Sequence, residues 1–245
     1  MTVGSVLRRL TPQLSFAMAR LSRRSDTGLR LTLSVLLFIG AVWLFAGVAE
    51  DVVTGDPLVA VDHAISRWLQ GRTTTGLALW MRWITDAHGA GPISAMGAIF
   101  ALYLALRRQG YWLLTLVFVL PGGMLLNLLL KQIFRRGRPA FDEPLQSLAS
   151  FSFPSGHVTG ATLFYGLLAA YLAARTPDIA KRLKLFTAAF LMVVLVGTTR
   201  IYLGAHYFSD VVAAAAWGTA WIVLCGVAVD AWRRSAATPR YGVRG

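Results

Sequence analysis

Six stretches of this chain run for seventeen to twenty residues with at most one charged side chain apiece, at 31–49, 87–106, 111–130, 158–174, 185–203 and 211–229. A helix needs about 20 apolar residues to cross the hydrocarbon of a bilayer. Inside it no water is at hand, so the segment must satisfy its own backbone hydrogen bonds. The pattern predicts an all-α bundle of six transmembrane helices. A chain that is 56% hydrophobic and 14% charged is too apolar for an ordinary soluble domain of 245 residues, which supports the same reading. The fourth stretch has only seventeen residues, and the fifth has fifteen uncharged residues before Arg200. Pro121, Gly122 and Gly123 predict a kink in the third. The first, at nineteen residues, exceeds the ~7–15 of a cleaved signal and is read as a retained span.

An even number of spans puts both termini on one side of the membrane, and the Lys and Arg count decides which side. With cytoplasmic termini, segments 1–30, 107–110, 175–184 and 230–245 hold 16 of the 24 basic residues. The expected location is therefore the inner (plasma) membrane with both ends in the cytoplasm. Of the 8 basic residues left outside, five are Lys131, Arg135, Arg136, Arg138 and Arg200. Topology does not call for them there, so another purpose is sought. The net charge of +13 would suit nucleic acid, but most of it is accounted for by span-flanking positions, and no nucleic-acid partner is expected.

The chain divides into a basic tail over 1–30, a six-span domain over 31–230 and a second basic tail over 231–245. In the first tail Val3, Leu7, Leu10, Leu14, Met18 and Leu21 recur at helical spacing among arginines, which suits either a helix lying on an anionic leaflet or a solvated tail. Residues 50–86 are rich in acids and hold Trp68, Trp80 and Trp83. They predict short interfacial helices between the first two spans, shaping access to a site from the lipid. The single cysteine, Cys225, allows no internal disulfide and reads as packing.

Chemistry-bearing residues gather at three places, all mapped to the outer ends of spans three to six. "KQIFRRGRP" brings Lys131 and Arg138, "SFPSGH" brings Ser155, Gly156 and His157, and "TRIYLGAHYFSD" brings Arg200, His206 and Asp210. Ser155 is a preferred residue at a helix start, and Gly156 lets another group approach the backbone. Unpaired N–H groups there attract a phosphate-like anion. His206 and Asp210 are four apart, so a helix beginning before them would put both on one face, with the carboxylate fixing the imidazole tautomer. A histidine so held can serve as nucleophile or base. Lys131, Arg138 and Arg200 add cationic donors suited to phosphate oxygens. Taken singly, each motif has a bland reading: a headgroup anchor, a turn, a polar pair tying helices together. Arg135 and Arg136 are read as such anchors. Together the three describe an anion pocket containing two histidines.

The order Lys131, six residues, Arg138-Pro139; then Pro154-Ser155-Gly156-His157; then Thr199-Arg200, five residues, His206, three residues, Asp210 resembles the signature of the type 2 phosphatidic acid phosphatase (PAP2) family, the lipid phosphate phosphatase and haloperoxidase superfamily. Thr199 stands where that family usually has Ser, which keeps a hydroxyl and adds a methyl. In organisation the resemblance extends over about 31–229. It implies a membrane-embedded phosphatase that works without a metal or other cofactor. In that carry-over His206 attacks phosphorus and becomes a phosphohistidine, Asp210 orients it, and His157 protonates the leaving oxygen and then activates water. Lys131, Arg138, Arg200 and the backbone around Ser155 and Gly156 hold the phosphate oxygens.

The resemblance does not choose the lipid: phosphatidate, phosphatidylglycerophosphate, isoprenyl diphosphates such as undecaprenyl diphosphate, and lipid A phosphates all present phosphate at a membrane surface. Three other functions compete. A phosphotransferase would use the same residues, a haloperoxidase would hold vanadate in a similar pocket, and a transporter could also carry histidines and cations at span ends.

Overall fold

The computed structural model describes residues 26–69, 72–139 and 150–237. Among them are eight helices and no strand: α1 Asp26–Thr54, α2 Pro57–Leu69, α3 Thr75–Asp86, α4 Ala90–Leu106, α5 Gly110–Phe134, α6 Gly156–Ala173, α7 Ile179–Tyr202 and α8 Phe208–Ala237. The six apolar stretches fall on α1, α4, α5, α6, α7 and α8, and the acidic segment between the first two supplies α2 and α3. The amphipathic reading of residues 1–25 lies outside the described residues. At the other end α8 runs on to Ala237, so the expected second tail begins as helix. The kink expected at Pro121 does not divide α5, which continues as one helix through it.

By length and apolarity alone α1, α5 and α8 qualify as membrane spans, and α3 with α4, bent by 42° at their junction, would add a fourth only as a single broken span rather than a re-entrant loop. The short α6 and the charge-ended α7 stand outside that set. α6 is the central helix: Val158, Thr159, Gly160, Ala161, Thr162, Leu163 and Phe164 are all buried, and α4, α5, α7 and α8 pack around it. A helix enclosed by protein can carry small and polar residues that a lipid-facing helix could not. The outer helices show the reverse. Leu33, Leu36 and Trp43 of α1, Ile99 and Leu102 of α4 and Phe190 and Leu191 of α7 are exposed large apolar side chains, as hydrocarbon solvent favours.

Close backbone approach fixes the bundle. A Cβ on Gly123 of α5 would stand 2.5 Å from Leu163 of α6, and one on Gly197 of α7 would stand 2.6 Å from Val211 of α8. Small residues at such crossings let helices pack closely where no hydrophobic drive between them exists. The result brings four helix ends together: the last turns of α5 and α7 and the first turns of α6 and α8. Aromatic packing seats the connecting chain beside them. Phe153 is fully buried and meets Phe134 at 4.8 Å between ring centroids and Phe45 of α1 at 6.0 Å.

Candidate active site

The chain enters this cluster of helix ends through backbone turns rather than by chance of proximity. Arg135 closes α5 in the left-handed region at φ 45°, a conformation that costs a residue with a Cβ roughly 1–2 kcal/mol. It turns the following residues inward, so that Arg136 and Arg138 point back over the bundle end. After α7, Gly204 at φ 66° reverses the chain, and the amides of Ala205 and His206 both donate to the Arg200 carbonyl, at 3.0 and 3.2 Å. The third junction is direct. The Ser155 amide donates to the Asp210 carbonyl at 3.1 Å, tying the start of α6 to the start of α8.

His206 sits at the centre, 2% exposed. Its Nδ1 lies 3.2 Å from Asp210 Oδ2 and 3.2 Å from Ser152 Oγ, and its Nε2 lies 3.3 Å from Arg138 Nη1. A proton on Nδ1, donated to the carboxylate, leaves the Nε2 lone pair facing the arginine. The pairing survives although its expected basis does not. α8 begins at Phe208, after His206, so the two residues do not share a helical face. Asp210 instead reaches back from the first turn, where its Oδ2 also accepts from the Tyr207 amide at 2.9 Å and from the Ser152 hydroxyl. His206 lies in the turn between α7 and α8. Burial there outweighs the opposing pull of Asp210, with Arg200 and Arg138 adding to the effect, and lowers its pKa to about 4.

Cations surround it. Lys131 is 6% exposed, and its Nζ donates to the carbonyls of Phe151 at 2.6 Å and Ser152 at 3.2 Å. Arg138 donates to the Ala205 carbonyl at 2.5 Å and the Ser150 carbonyl at 2.8 Å. Arg200, 1% exposed, donates to Thr85 Oγ1 at 2.9 Å. Ser155 occupies the N-cap position of α6, as expected, but its side chain makes no cap bond. Its Oγ is fully buried and has no partner among the described residues. A buried hydroxyl in that state, beside helix N–H groups that have no intrahelical acceptor, is chemistry suited to an anion's oxygens. A Cβ on Gly156 would meet Asn127 at 3.6 Å and Lys131 at 4.0 Å, so the backbone there faces the lysine.

His157, in the first turn of α6, is half-buried and within electrostatic reach of Arg200, His206, His88 and Arg138. Its Nε2 lies 3.7 Å from where a Cβ on Gly89 would stand, in the break between α3 and α4. That break is itself pinned, because His88 bridges the Ile84 carbonyl at 2.7 Å and the Tyr165 hydroxyl at 2.8 Å. All eight residues expected from the sequence, Lys131, Arg138, Ser155, Gly156, His157, Arg200, His206 and Asp210, thus come to one end of the bundle. Thr199, in the position noted for its departure, turns its hydroxyl to the Val196 carbonyl of its own helix at 2.6 Å.

Four contributors escaped the sequence reading. Ser152 touches both members of the His206–Asp210 pair, and Thr85 holds Arg200. Arg136 is no headgroup anchor: its side chain is 11% exposed and forms ion pairs at 2.7 Å with both Asp210 and Asp62. Asp62, fully buried, comes from α2. A signal for it existed. Leu58, Asp62, Ile65 and Leu69 follow helical spacing, which sets an acid on the inward stripe of an amphipathic helix.

Comparison with known proteins converges on one group. Residues 110–234 match the PAP2 superfamily. The chain is 39% identical over 172 residues to phosphatidylglycerophosphatase B of Bacillus subtilis (strain 168), covering 70% of this chain and 84% of that protein. Its fold is similar to the crystal structure of a transmembrane PAP2-type phosphatidylglycerolphosphate phosphatase from Bacillus subtilis, with a TM-score of 0.65 and 28% identity over 85% of this chain and 98% of the other. It also resembles Aquifex aeolicus LpxE in fold, with a TM-score of 0.51 at 20% identity, over 69% of this chain and 93% of that one.

Proposed function

The chain belongs to the PAP2 superfamily, and from that premise we propose that it is a six-span membrane phosphatase that removes phosphate from lipids through a phosphohistidine on His206. The observation that carries this is the His206 ring itself, with one nitrogen on Asp210 and the other directed at a guanidinium among buried cations. In the first step Nε2 forms a bond to phosphorus while the bond from phosphorus to the lipid oxygen breaks, and His157, which takes up a proton as the phosphate's negative charge enters the cationic pocket, gives it to that oxygen. In the second, His157 takes a proton from water, the hydroxide attacks phosphorus, and the P–N bond breaks to release inorganic phosphate. Lys131, Arg138, Arg200 and the Ser155–Gly156 backbone hold the equatorial oxygens, where charge accumulates in the transition state.

The likeness to phosphatidylglycerophosphatase B makes phosphatidylglycerophosphate the first substrate to try, ahead of phosphatidate and undecaprenyl diphosphate. Purified protein in detergent is expected to release inorganic phosphate from at least one of these, in the presence of EDTA. Release without a second compartment is not what a transporter would do. Label passing to an added acceptor lipid in place of water would instead mark a phosphotransferase, and a folded preparation inert on the whole panel would refute the phosphatase reading.

The orientation proposed is with both termini cytoplasmic and the site on the extracytoplasmic, periplasmic side, from the 16 of 24 basic residues on the inner segments. Asp56 and Ala180 are exposed at opposite ends of the bundle by this topology. In intact cells Asp56→Cys should react with a membrane-impermeant thiol reagent while Ala180→Cys does not. The reverse pattern would invert the protein.

A further inference from the structure

The carboxylate that holds His206 is itself held. Asp210 Oδ1 accepts from Arg136 Nη1 at 2.7 Å, while Oδ2 takes the Tyr207 amide, the Ser152 hydroxyl and His206 Nδ1. The same guanidinium donates from Nη2 to Asp62 Oδ2 at 2.7 Å and from Nη1 to Ser209 Oγ at 2.6 Å. Asp62 in turn accepts the Ser209 amide at 2.9 Å and the Ser209 hydroxyl. Both carboxylates are fully buried. The Arg136 guanidinium lies over the Tyr207 ring with its carbon 4.3 Å from the centroid, and the Arg136 carbonyl accepts the Ser152 amide at 2.9 Å. One planar fork therefore spans two buried acids, one in α2 and one at the start of α8.

Charge balance gives the second acid a purpose. If His206 becomes a phosphohistidine, positive charge grows on its ring as the P–N bond forms, and Asp210 is the anion placed to offset it. An arginine paired with Asp210 alone would neutralise much of that anion. With Asp62 on its other edge, Arg136 already has a full negative partner and can orient Asp210 without cancelling its charge. A side chain that only tied α2 to α8 would not need to be an acid sharing the catalytic carboxylate's own counterion.

We propose that Asp62 is a positioning residue: acting through Arg136, it sets the orientation and the residual charge of the Asp210 carboxylate that steadies His206. This rests on the reading that His206 is the nucleophile. It gives the helix between the first two spans a part in the chemistry, beyond shaping access from the lipid.

The test uses purified full-length protein in detergent, with rapid-quench measurement of phosphoenzyme and steady-state kinetics alongside thermal melting. Wild-type protein comes first, since absence of an acid-labile phosphohistidine there would overturn the nucleophile reading rather than this one. Asp62→Asn and Arg136→Gln are each expected to slow phosphoenzyme formation and kcat by about 10–100-fold, the scale of a small misplacement of a reacting group, with KM within about twofold of wild type. The double variant should lose no more than the worse single, because the two act as one unit. Arg136→Lys, which keeps the charge but cannot span both carboxylates, should behave like Arg136→Gln. Should Asp62→Asn fail to fold, the two Arg136 variants decide the matter by the same split between kcat and KM. Unchanged kcat in folded variants, losses that multiply in the double variant, or a change confined to KM would each overturn the proposal.

Discussion

Replacing His206 by alanine is expected to abolish phosphoenzyme formation and to lower turnover at least ~10,000-fold, with the lipid substrate and with p-nitrophenyl phosphate alike. Three other histidines are present, His63, His88 and His157, and His63 meets the Tyr207 ring edge-on at 5.4 Å between centroids. His157 is held in the first turn of α6, and His88 has both ring nitrogens engaged by Ile84 and Tyr165. Substrate capture should persist, because Lys131, Arg138 and Arg200 are anchored by groups other than His206 as well. The protonation state of His206 is that required of the proposed nucleophile. An ordinary histidine titrates near ~6.5, whereas burial brings His206 to about 4. The folded protein then binds this proton less readily than the unfolded chain. The stability contributed by a neutral His206 is fully present above the unfolded value and is lost as pH falls toward about 4. A titration of 15N-histidine-labelled protein, with His206 assigned by difference from His206→Gln, should show the ring still neutral at a pH of about 5, given that value near 4. A midpoint in the ordinary histidine range would contradict this, and substantial phosphoenzyme in His206→Ala would move the nucleophile elsewhere.

The loss on replacing His157 by alanine should depend on what leaves. A lipid alkoxide is a poor leaving group and needs a proton as it departs, so the first step should slow by roughly 100–10,000-fold, the usual contribution of a positioned general acid. Nitrophenolate leaves readily without one. The burst rate of phosphoenzyme formation with p-nitrophenyl phosphate should therefore fall far less, although the second step should stay slow because the proposed mechanism uses the same side chain to activate water. Steady-state turnover would hide the difference, so the rapid-quench burst is the measurement. The space beside Gly89 supports the asymmetry of roles: His157 borders the break between α3 and α4, while His206 sits under the cations. Equal burst losses on both substrates would reduce His157 to a wall of the phosphate pocket.

What the sequence disclosed and what it withheld have different physical origins. Span-forming segments leave a long, one-dimensional trace, because twenty apolar residues in a row have few other uses in a chain. All six apolar stretches became helices, though only three of them, or four with the bent pair, are long and apolar enough to count as spans. α6 was the faintest of them since its environment is protein, and its sequence answers to neighbours such as Leu163's partner Gly123 rather than to lipid. The eight residues that meet at one end of the bundle were legible because three short motifs set them at fixed spacings. Ser152, Thr85, Asp62 and Arg136 were not, because each acts on a residue of another segment: the partners of Asp62 lie 147 positions away at Ser209 and 74 away at Arg136. Such pairings exist only once the helices have packed. Arg136 was also masked by company, one arginine among several at a membrane boundary where arginines are ordinary.

The acceptors chosen for two of the site's cations have a consequence for selectivity. Lys131 and Arg138 are held by backbone carbonyls, a serine hydroxyl and an imidazole, with no carboxylate among their hydrogen-bond partners in the described residues. Arg136, by contrast, is matched by two acids. The first pair thus meets no acid directly, with Asp210 acting on both only through space, and in the proposed reading the substrate's phosphate is the counterion that reaches them. A terminal phosphate ester carries nearly two negative charges at neutral pH, and a phosphodiester only one. The bulk lipids of a bilayer are diesters. A phosphatase dissolved in them faces a vast excess of near-substrates, and on the proposed reading a pocket whose lysine and arginine lack a direct acid partner would tell a terminal phosphate from that background by valence before any contact with the rest of the headgroup is made.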